Sequence, residues 1–339
     1  MRLDQVCLGI DYNIVQGSLE TEITGVCYDS RQVRPGSLFV CIVGQKTDGH
    51  QYAHQAVQAG AAAILAEREI DVGGQAALIL TDNTRTGLAK AAANFYGHPS
   101  QQLRVVGVTG TNGKTTTTHL IQAILNEYNK PAGIMGTLYA RLGDITRDYG
   151  HTTPESADIQ EFFRLLADNA AEYVVMEVSS HALEQHRVDT IQFDAAVFTN
   201  LTQDHLDYHQ TMENYRQAKL KLFQMVDVKP ENFCIVNNDD PSASHFTEAS
   251  PVPYYTYGIK SAADVRAVEI QSTLKGTRFK VLFKDQSFPI NMKLIGGFSV
   301  YNALAAITFA LAEKIPVPVI QQVLANIEGV PGRFEQVDL

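Results

Sequence analysis

The chain has 339 residues, 45% of them hydrophobic and 19% charged, with 24 Gly and 12 Pro; it is long enough for two cores and is not a disordered, collagen-like or coiled-coil chain. Its 27 Lys and Arg against 37 Asp and Glu leave a formal charge of −10, which repels nucleic acid and anionic membrane, so an anionic ligand has to be held by a local site. Cys7, Cys27, Cys41 and Cys234 lack C-x-x-C spacing and are too few for a disulfide framework. No apolar run approaches the ~18 residues of a membrane span, and the first residues lack the basic and apolar regions of a leader. A soluble cytoplasmic protein with buried thiols and no membrane insertion is expected.

In chain order, LFVCIVG (38–44) predicts a strand and YAHQAVQAGA (52–61) a helix ending near Gly60, while AAAILAE and AALILTD read as buried strands. This is a small α/β unit. TRTGLAKAAANFYGHP (84–99) predicts a helix with Thr84 as N-cap, Gly97 as stop and Pro99 beyond it, which makes 97–101 the candidate linker and places a domain boundary near 100. LRVVGVTG from 103 is an apolar strand, and TTTHLIQAILNEY puts Leu120, Ile121, Ile124, Leu125 and Tyr128 on one helical face. Further strands are predicted at 171–179, 193–201 and 232–238, with helices at 156–169 and 213–226, an alternation that implies a doubly wound, mostly parallel sheet. The stretch 265–294 alternates apolar and polar residues as an appended antiparallel meander does, and 301–314 returns to a helix. The fold class is therefore α/β, a small N-terminal domain followed by a phosphate-loop domain with an added antiparallel sheet.

The segment GVTGTNGKTT (107–116) lies between a predicted strand and a predicted helix, the context that marks a phosphate cradle. Glycines let successive N–H groups converge on phosphate oxygens, the helix N-terminus adds partial positive charge, Lys114 supplies an ammonium and Thr115 a hydroxyl for magnesium. Val108 stands at the first glycine position of the strict G-x-x-x-x-G-K-[ST] pattern, so the loop is a variant. Glu177 ends the apolar run YVVMEV and should project from the carboxyl end of a sheet strand, where open α/β sheets place their ligands. His205 and His209 follow the next strand. One of them could bind metal, but magnesium prefers oxygen to imidazole, and packing or hydrogen-bonding roles suit them as well. Lys219 lies beside the stripe Tyr215, Ala218, Leu222 and Phe223, where a lysine ordinarily snorkels to water.

Taken together, DSRQVRPGSLFVCIVGQKTDGH (29–50), VTGTNGKTTTTHLI, GTLYARL, HTTPES, MEVSSHALEQHRV, FTNLTQDHLDYH, YRQAKLKLF, NNDD, GGFSVYNALAA and GVPGRFE resemble the Mur ligase family, ATP-dependent amide-forming enzymes of peptidoglycan synthesis, and most closely its MurE type. The resemblance runs over almost the whole chain. It implies a first domain (1–100) that binds the uridine nucleotide of UDP-MurNAc-L-Ala-D-Glu, with Tyr28 and Ser30 near uracil and Gln45, Lys46 and Thr47 near the diphosphate. In a central domain (101–335) it implies ATP binding by Gly110, Thr111, Asn112, Gly113, Lys114, Thr115 and Thr116, with Asn302 at adenine and Arg333 near the phosphates. His151, Thr152, Thr153, Ser179, Gln185 and Arg187 are then expected to contact the muramoyl-dipeptide, His151 standing where relatives often have Asn. Lys219 becomes a carbamate (N6-carboxylysine) formed with CO2. The expected catalytic set is Lys114, Glu177, His205 and Lys219, with Thr115, Glu177, His205 and Lys219 around two magnesium ions and Asn200 and His209 supporting them.

The implied reaction passes through an acyl phosphate on D-Glu and adds a diamino acid, meso-diaminopimelate or L-lysine, by a monomeric enzyme. Family members carry a third domain after the GRFE segment, whereas this sequence ends at Leu339, with 336–339 as the start of a hinge. A truncated ligase that binds nucleotide without efficient turnover is the corresponding expectation. A folylpolyglutamate- or cyanophycin-synthetase-type ligase is the alternative within the superfamily, and a non-catalytic nucleotide or UDP-sugar binding protein the alternative from another class.

Overall fold

The computed structural model describes residues 1–44 and 47–329. The chain forms two compact units: 1–102 with 154–165 and 184–191, and 103–153 with 166–183 and 192 onward. Two short segments from beyond residue 150 thus belong with the first hundred residues, which no reading of contiguous sequence would place there.

The first unit holds strands β1 (Asn13–Gln16), β2 (Gly25–Cys27), β3 (Ser37–Val40), β4 (Ala63–Ala66) and β5 (Ala77–Leu80), in the order β1-β5-β4-β3-β2. All neighbours run parallel except β1 against β5. Helices α1 (Leu3–Val6), α2 (Ala53–Gln58) and α3 (Thr84–Tyr96) accompany them. The period of two along β3 explains its double burial: Leu38 and Val40 join one core cluster with Leu65, Ile79 and Leu88, while Phe39 joins another with Ile64 and Leu78. The cap of α3 is Asn83, not Thr84. Asn83 Oδ1 accepts the N–H groups of Arg85 and Thr86, and Thr84 instead gives its N–H and hydroxyl to the Glu67 carboxylate. Gly97, left-handed at φ +71°, ends that helix as predicted.

The second unit is built on one eleven-stranded sheet. Its strands are β6 (Arg104–Thr109), β7 (Ala132–Met135), β8 (Ala140–Leu142), β9 (Ile145–Arg147), β10 (Tyr173–Glu177), β11 (Ala195–Phe198), β12 (Phe233–Asn237), β13 (Tyr254–Gly258), β14 (Val265–Thr273), β15 (Gly276–Phe283) and β16 (Gln286–Met292). From β7 through β10, β6, β11, β12 and β13 to β14 every pairing is parallel; the β8–β9 hairpin closes one edge and the β15–β16 hairpin the other, both antiparallel. Strand β6 lies between β10 and β11, so the chain winds first to one side of β6 and then to the other, and the crevice at its carboxyl end is where such a sheet admits a ligand.

Along the chain run helices α4 (Lys114–Glu127), α5 (Ser156–Asp168), α6 (Ser180–Glu184), α7 (Leu206–His209), α8 (Met212–Gln224), α9 (Ala243–Ala249), α10 (Gly297–Ala312) and α11 (Val317–Asn326). Leu120, Ile121, Ile124 and Leu125 of α4 are buried with Val106, Val108, Val175 and Val197 of the sheet and with Leu304, Ile307 and Leu324 of α10 and α11. Each such side chain contributes about 1.5–3 kcal/mol by leaving water. Tyr128, expected on this face, follows the helix end and is 37% exposed. Among the described residues no helix is long and apolar enough to cross a membrane. All four cysteines are buried, and burial pushes the Cys7, Cys41 and Cys234 thiols up to about 12.

Candidate functional site

The loop between β6 and α4 is fixed by two glycines at which any side chain would force a neighbour to move. Gly110 has φ +149°, and a Cβ on it would lie 1.9 Å from Thr199 Oγ1; Gly113 has φ +87°, and its Cβ would lie 2.3 Å from Asn302 Oδ1. The segment after β11 laces the loop down. Asn200 accepts the Thr111 N–H on its carbonyl (2.8 Å) and the Asn112 N–H on its amide oxygen (3.0 Å), and Thr199 Oγ1 donates to the Asn112 carbonyl (2.7 Å). A loop whose inner carbonyls and two of whose N–H groups are already satisfied keeps a defined shape before any ligand arrives.

Lys114 opens α4 and turns its ammonium back across the loop, donating to the carbonyls of Gly110 (2.8 Å) and Thr111 (2.9 Å). Lys219 reaches the same Gly110 carbonyl from α8 (3.0 Å), with Nζ 4.5 Å from the centre of the Tyr215 ring. It does not snorkel. Lys219 is 1% exposed, and burial, reinforced by the charge of Lys114, holds its pKa well below the ordinary lysine value, so the neutral amine is favoured.

Glu177, at the end of β10, is equally buried. It accepts the Thr115 hydroxyl on Oε2 (3.1 Å), the Thr137 N–H on Oε1 (2.9 Å) and the Thr137 hydroxyl on Oε2 (3.1 Å). Thr152 receives no such anchor from Glu177 but accepts the Thr137 hydroxyl at 3.1 Å. Thr153 Oγ1 donates to the Glu177 carbonyl (2.9 Å) and accepts the Ser179 N–H (3.0 Å), so both predicted dipeptide contacts sit against the strand end that carries the carboxylate. His151 is exposed on the same loop.

These groups border a cavity of about 800 Å3 that runs from Thr111–Thr116, Glu177 and Asn200 to Asp239, Phe298, Tyr301 and Asn302. Asp239 organises the far end. Burial works against its charge, but the N–H groups of Lys260, Ile259 and Ser261 and the Tyr301 hydroxyl outweigh that and hold the carboxyl well below the usual range. Phe298 is 75% exposed beside Asn302, an apolar face open to the cavity. The sequence does not single out Thr137, Asp239 or Tyr301, although GTLYARL, NNDD and GGFSVYNALAA carry them: their roles arise from partners forty and sixty-two residues away.

The expected metal set is brought together in part. Thr115 and Glu177 meet, and their oxygens are the donors a hard cation takes. His205 contacts other groups: its ring packs edge-on to His181 (4.8 Å) and lies 3.6 Å from Asp204, and its side chain is half exposed. His209 is buried, with Nε2 2.9 Å from Ser180 Oγ. Among the described residues no group of three or more His, Cys, Asp and Glu side chains gathers as a metal site.

In the first unit Tyr28, Ser30, Thr47 and Arg85 line a separate cavity of about 560 Å3. The Tyr28 hydroxyl donates to Asp158 Oδ2 at 2.7 Å, and Ser30 Oγ lies 3.4 Å from Gln55 Oε1. Arg187 donates to Gln185 Oε1 (2.8 Å) and pairs with Glu155 (3.0 Å). Gln45, Lys46 and Arg333 lie outside the described residues.

A glycine loop and lysine at the switch point of a parallel sheet, opening on a large cavity, define a nucleotide-binding α/β domain of the phosphate-loop class. Residues 108–310 match the sequence profile of the Mur ligase middle domain, and residues 22–103 that of the Mur ligase family catalytic domain. The chain is 55% identical over 338 residues to the UDP-N-acetylmuramoyl-L-alanyl-D-glutamate–2,6-diaminopimelate ligase of Syntrophomonas wolfei and 45% identical to that of Caldanaerobacter subterraneus, in each case over 100% of this chain and 69% of the relative. A solved structure of a ligase of the same name superposes with a TM-score of 0.84 at 26% identity, again over 100% of this chain and 69% of that one. The chain belongs to the Mur ligase family.

Proposed function

We propose that the chain carries the nucleotide sites of an ATP-dependent amide ligase of peptidoglycan synthesis, which joins 2,6-diaminopimelate to UDP-MurNAc-L-Ala-D-Glu. The single observation that carries this reading is the convergence of Lys114 and Lys219 on the Gly110 carbonyl, beside the Thr115–Glu177 pair, in a loop already shaped for a phosphate chain. The identity to diaminopimelate-adding relatives supports the substrate assignment.

In this mechanism the amide groups from Gly113 to Thr116, with Thr111 and Asn112 held in shape by Asn200, and the Lys114 ammonium hold the β- and γ-phosphates of ATP, while Asn302 and the apolar face of Phe298 bound the adenine end. An oxygen of the D-Glu γ-carboxylate attacks the γ-phosphorus, ADP departs with the bridging oxygen, and an acyl phosphate remains. The free amine of the diamino acid adds to the acyl carbon, and collapse of the tetrahedral intermediate expels phosphate and leaves an amide; the amine proton passes to solvent or a nearby base. The protein's work is positioning and charge neutralisation. Thr152, Thr153 and Ser179 hold the dipeptide end, and Tyr28, Ser30 and Thr47 the uridine nucleotide. Thr115 and Glu177, with His205, would hold magnesium, which supplies charge neutralisation at the transferring phosphoryl group.

Lys219 is read as a carbamate in the working enzyme. Its neutral amine adds to the carbon of CO2 and releases one proton, which turns a donor into an anionic oxygen ligand. The depressed pKa supports this, because only the unprotonated nitrogen has the lone pair that reacts.

The test is trapping of the acyl phosphate. With ATP, magnesium and UDP-MurNAc-L-Ala-D-Glu, hydroxylamine should yield the γ-hydroxamate and ADP in equal amounts, and calorimetry should show ADP binding that Lys114→Ala abolishes. A chain that binds no adenine nucleotide at all refutes the proposal.

A further inference from the structure

The cavity of the first unit contains a cation that the sequence did not single out. Arg85, in the first turn of α3, lines that cavity with Tyr28, Ser30 and Thr47, and its Nη2 lies 3.5 Å from the carbonyl of Val43. We propose that Arg85 is a substrate-binding residue that contacts the diphosphate of the uridine nucleotide, and that Glu155 is the positioning residue that aims it. The inference rests on the reading of this cavity as the uridine-nucleotide site.

Arg85 Nη1 donates to both oxygens of Glu155, at 3.2 and 3.1 Å, and Arg187 approaches Oε1 of the same carboxylate at 3.0 Å. All three side chains are less than a fifth exposed. On another wall Asp29 and Arg31 pair with each other and cancel. Of the two guanidiniums on the described cavity, Arg31 gives Nε and Nη2 to Asp29, whereas Arg85 is held by Glu155 through Nη1 alone, with Nη2 3.5 Å from the Val43 carbonyl, so part of its fork faces the cavity in a chain whose overall charge of −10 works against any diphosphate. A guanidinium fixed through one nitrogen keeps its remaining N–H groups in a known plane, and that planar fork matches phosphate oxygens. Glu155 reaches this position only because residues 154–165 belong to the first unit.

The experiment compares ligands that differ only in phosphate. Dissociation constants of UDP and uridine are measured by calorimetry for the unsubstituted chain and for Arg85→Met, Arg85→Lys and Glu155→Gln. Arg85→Met should weaken UDP by about tenfold or more, the value of a charge-assisted hydrogen bond, and uridine by less than about twofold. Arg85→Lys should recover part of the loss. Glu155→Gln should weaken UDP in the parent but not in the Arg85→Met background. Because each ratio of UDP to uridine is read on one sample, a lowered folded fraction does not imitate the result. Equal losses for UDP and uridine, or no loss for either, overturn the inference alone. Absence of UDP binding by the unsubstituted chain overturns the reading of the cavity and the inference with it.

Discussion

Gly113→Ala isolates what the phosphate loop requires of its backbone. Two costs follow from the geometry. An alanine at φ +87° takes up a left-handed conformation worth about 1–2 kcal/mol of strain. Its methyl would also sit 2.3 Å from Asn302 Oδ1, so the amide of Asn302 has to turn away, at about 1 kcal/mol for an off-rotamer side chain. We expect the unfolding free energy in urea to fall by about 2–3 kcal/mol, and ADP affinity by about tenfold or more, since the displaced amide lines the cavity and is the one proposed to meet adenine. In an Asn302→Ala background the clash is gone, and the same substitution should cost only the strain. Gly110→Ala should be far worse for folding than for binding specificity, because the obstruction is Thr199 Oγ1 at 1.9 Å and the backbone of Asn200 at 3.0 and 3.1 Å, which has nowhere to move. Parental ADP affinity in Gly113→Ala, or an identical cost with and without Asn302, would refute the reasoning.

Three further outcomes are expected. Lys219→Ala should abolish acyl-phosphate formation while UDP-substrate binding persists, with partial rescue by short carboxylates that enter the space it opens; failure of binding with normal turnover per bound substrate would contradict it. Burial holds the Lys219 pKa below its unfolded value, so the unfolded chain binds the more protons and this group makes stability rise with pH toward the ordinary lysine value; the Ala variant should lose that slope in pH-dependent urea titrations. Asp158 behaves in the opposite sense: burial, against the help of the Tyr28 hydroxyl, pushes its carboxyl from 3.8 up to about 6, so stability should fall as pH rises across that window, by about 3 kcal/mol for two pKa units. Asp158→Asn should remove this slope, and parent and variant with parallel pH profiles would show the charge to be solvated.

The parts of the fold that declare themselves in sequence are those decided by local periodicity. The apolar stripe of α4, the alternation of 265–294 and the stop at Gly97 all need only a few neighbouring residues. What stays hidden depends on partners distant in the chain. Strand β1 has only four residues, mostly exposed, and exists through its pairing with β5; α10 begins at Gly297, ahead of the predicted 301, opening on two glycines and the exposed Phe298, which carry no helical signal in sequence. Lys219 shows the same limit at the site. Its position beside an apolar stripe suits a snorkelling side chain, and only the fold, which directs Nζ at the Gly110 carbonyl, seals it from water. His205 is the reverse case, a motif residue whose ring here packs on His181 and Tyr215 and lies near Asp204.

The composite make-up of the first unit has a practical corollary for anyone dissecting the protein. A fragment cut at residue 102 retains its whole five-stranded sheet yet discards Glu155, Ala157 and Asp158, and with them the acid facing Arg85, an apolar plug in the core and the acceptor for the Tyr28 phenol. Such a piece could keep its secondary structure and still misjudge its ligand, so affinities measured on it would understate the intact chain.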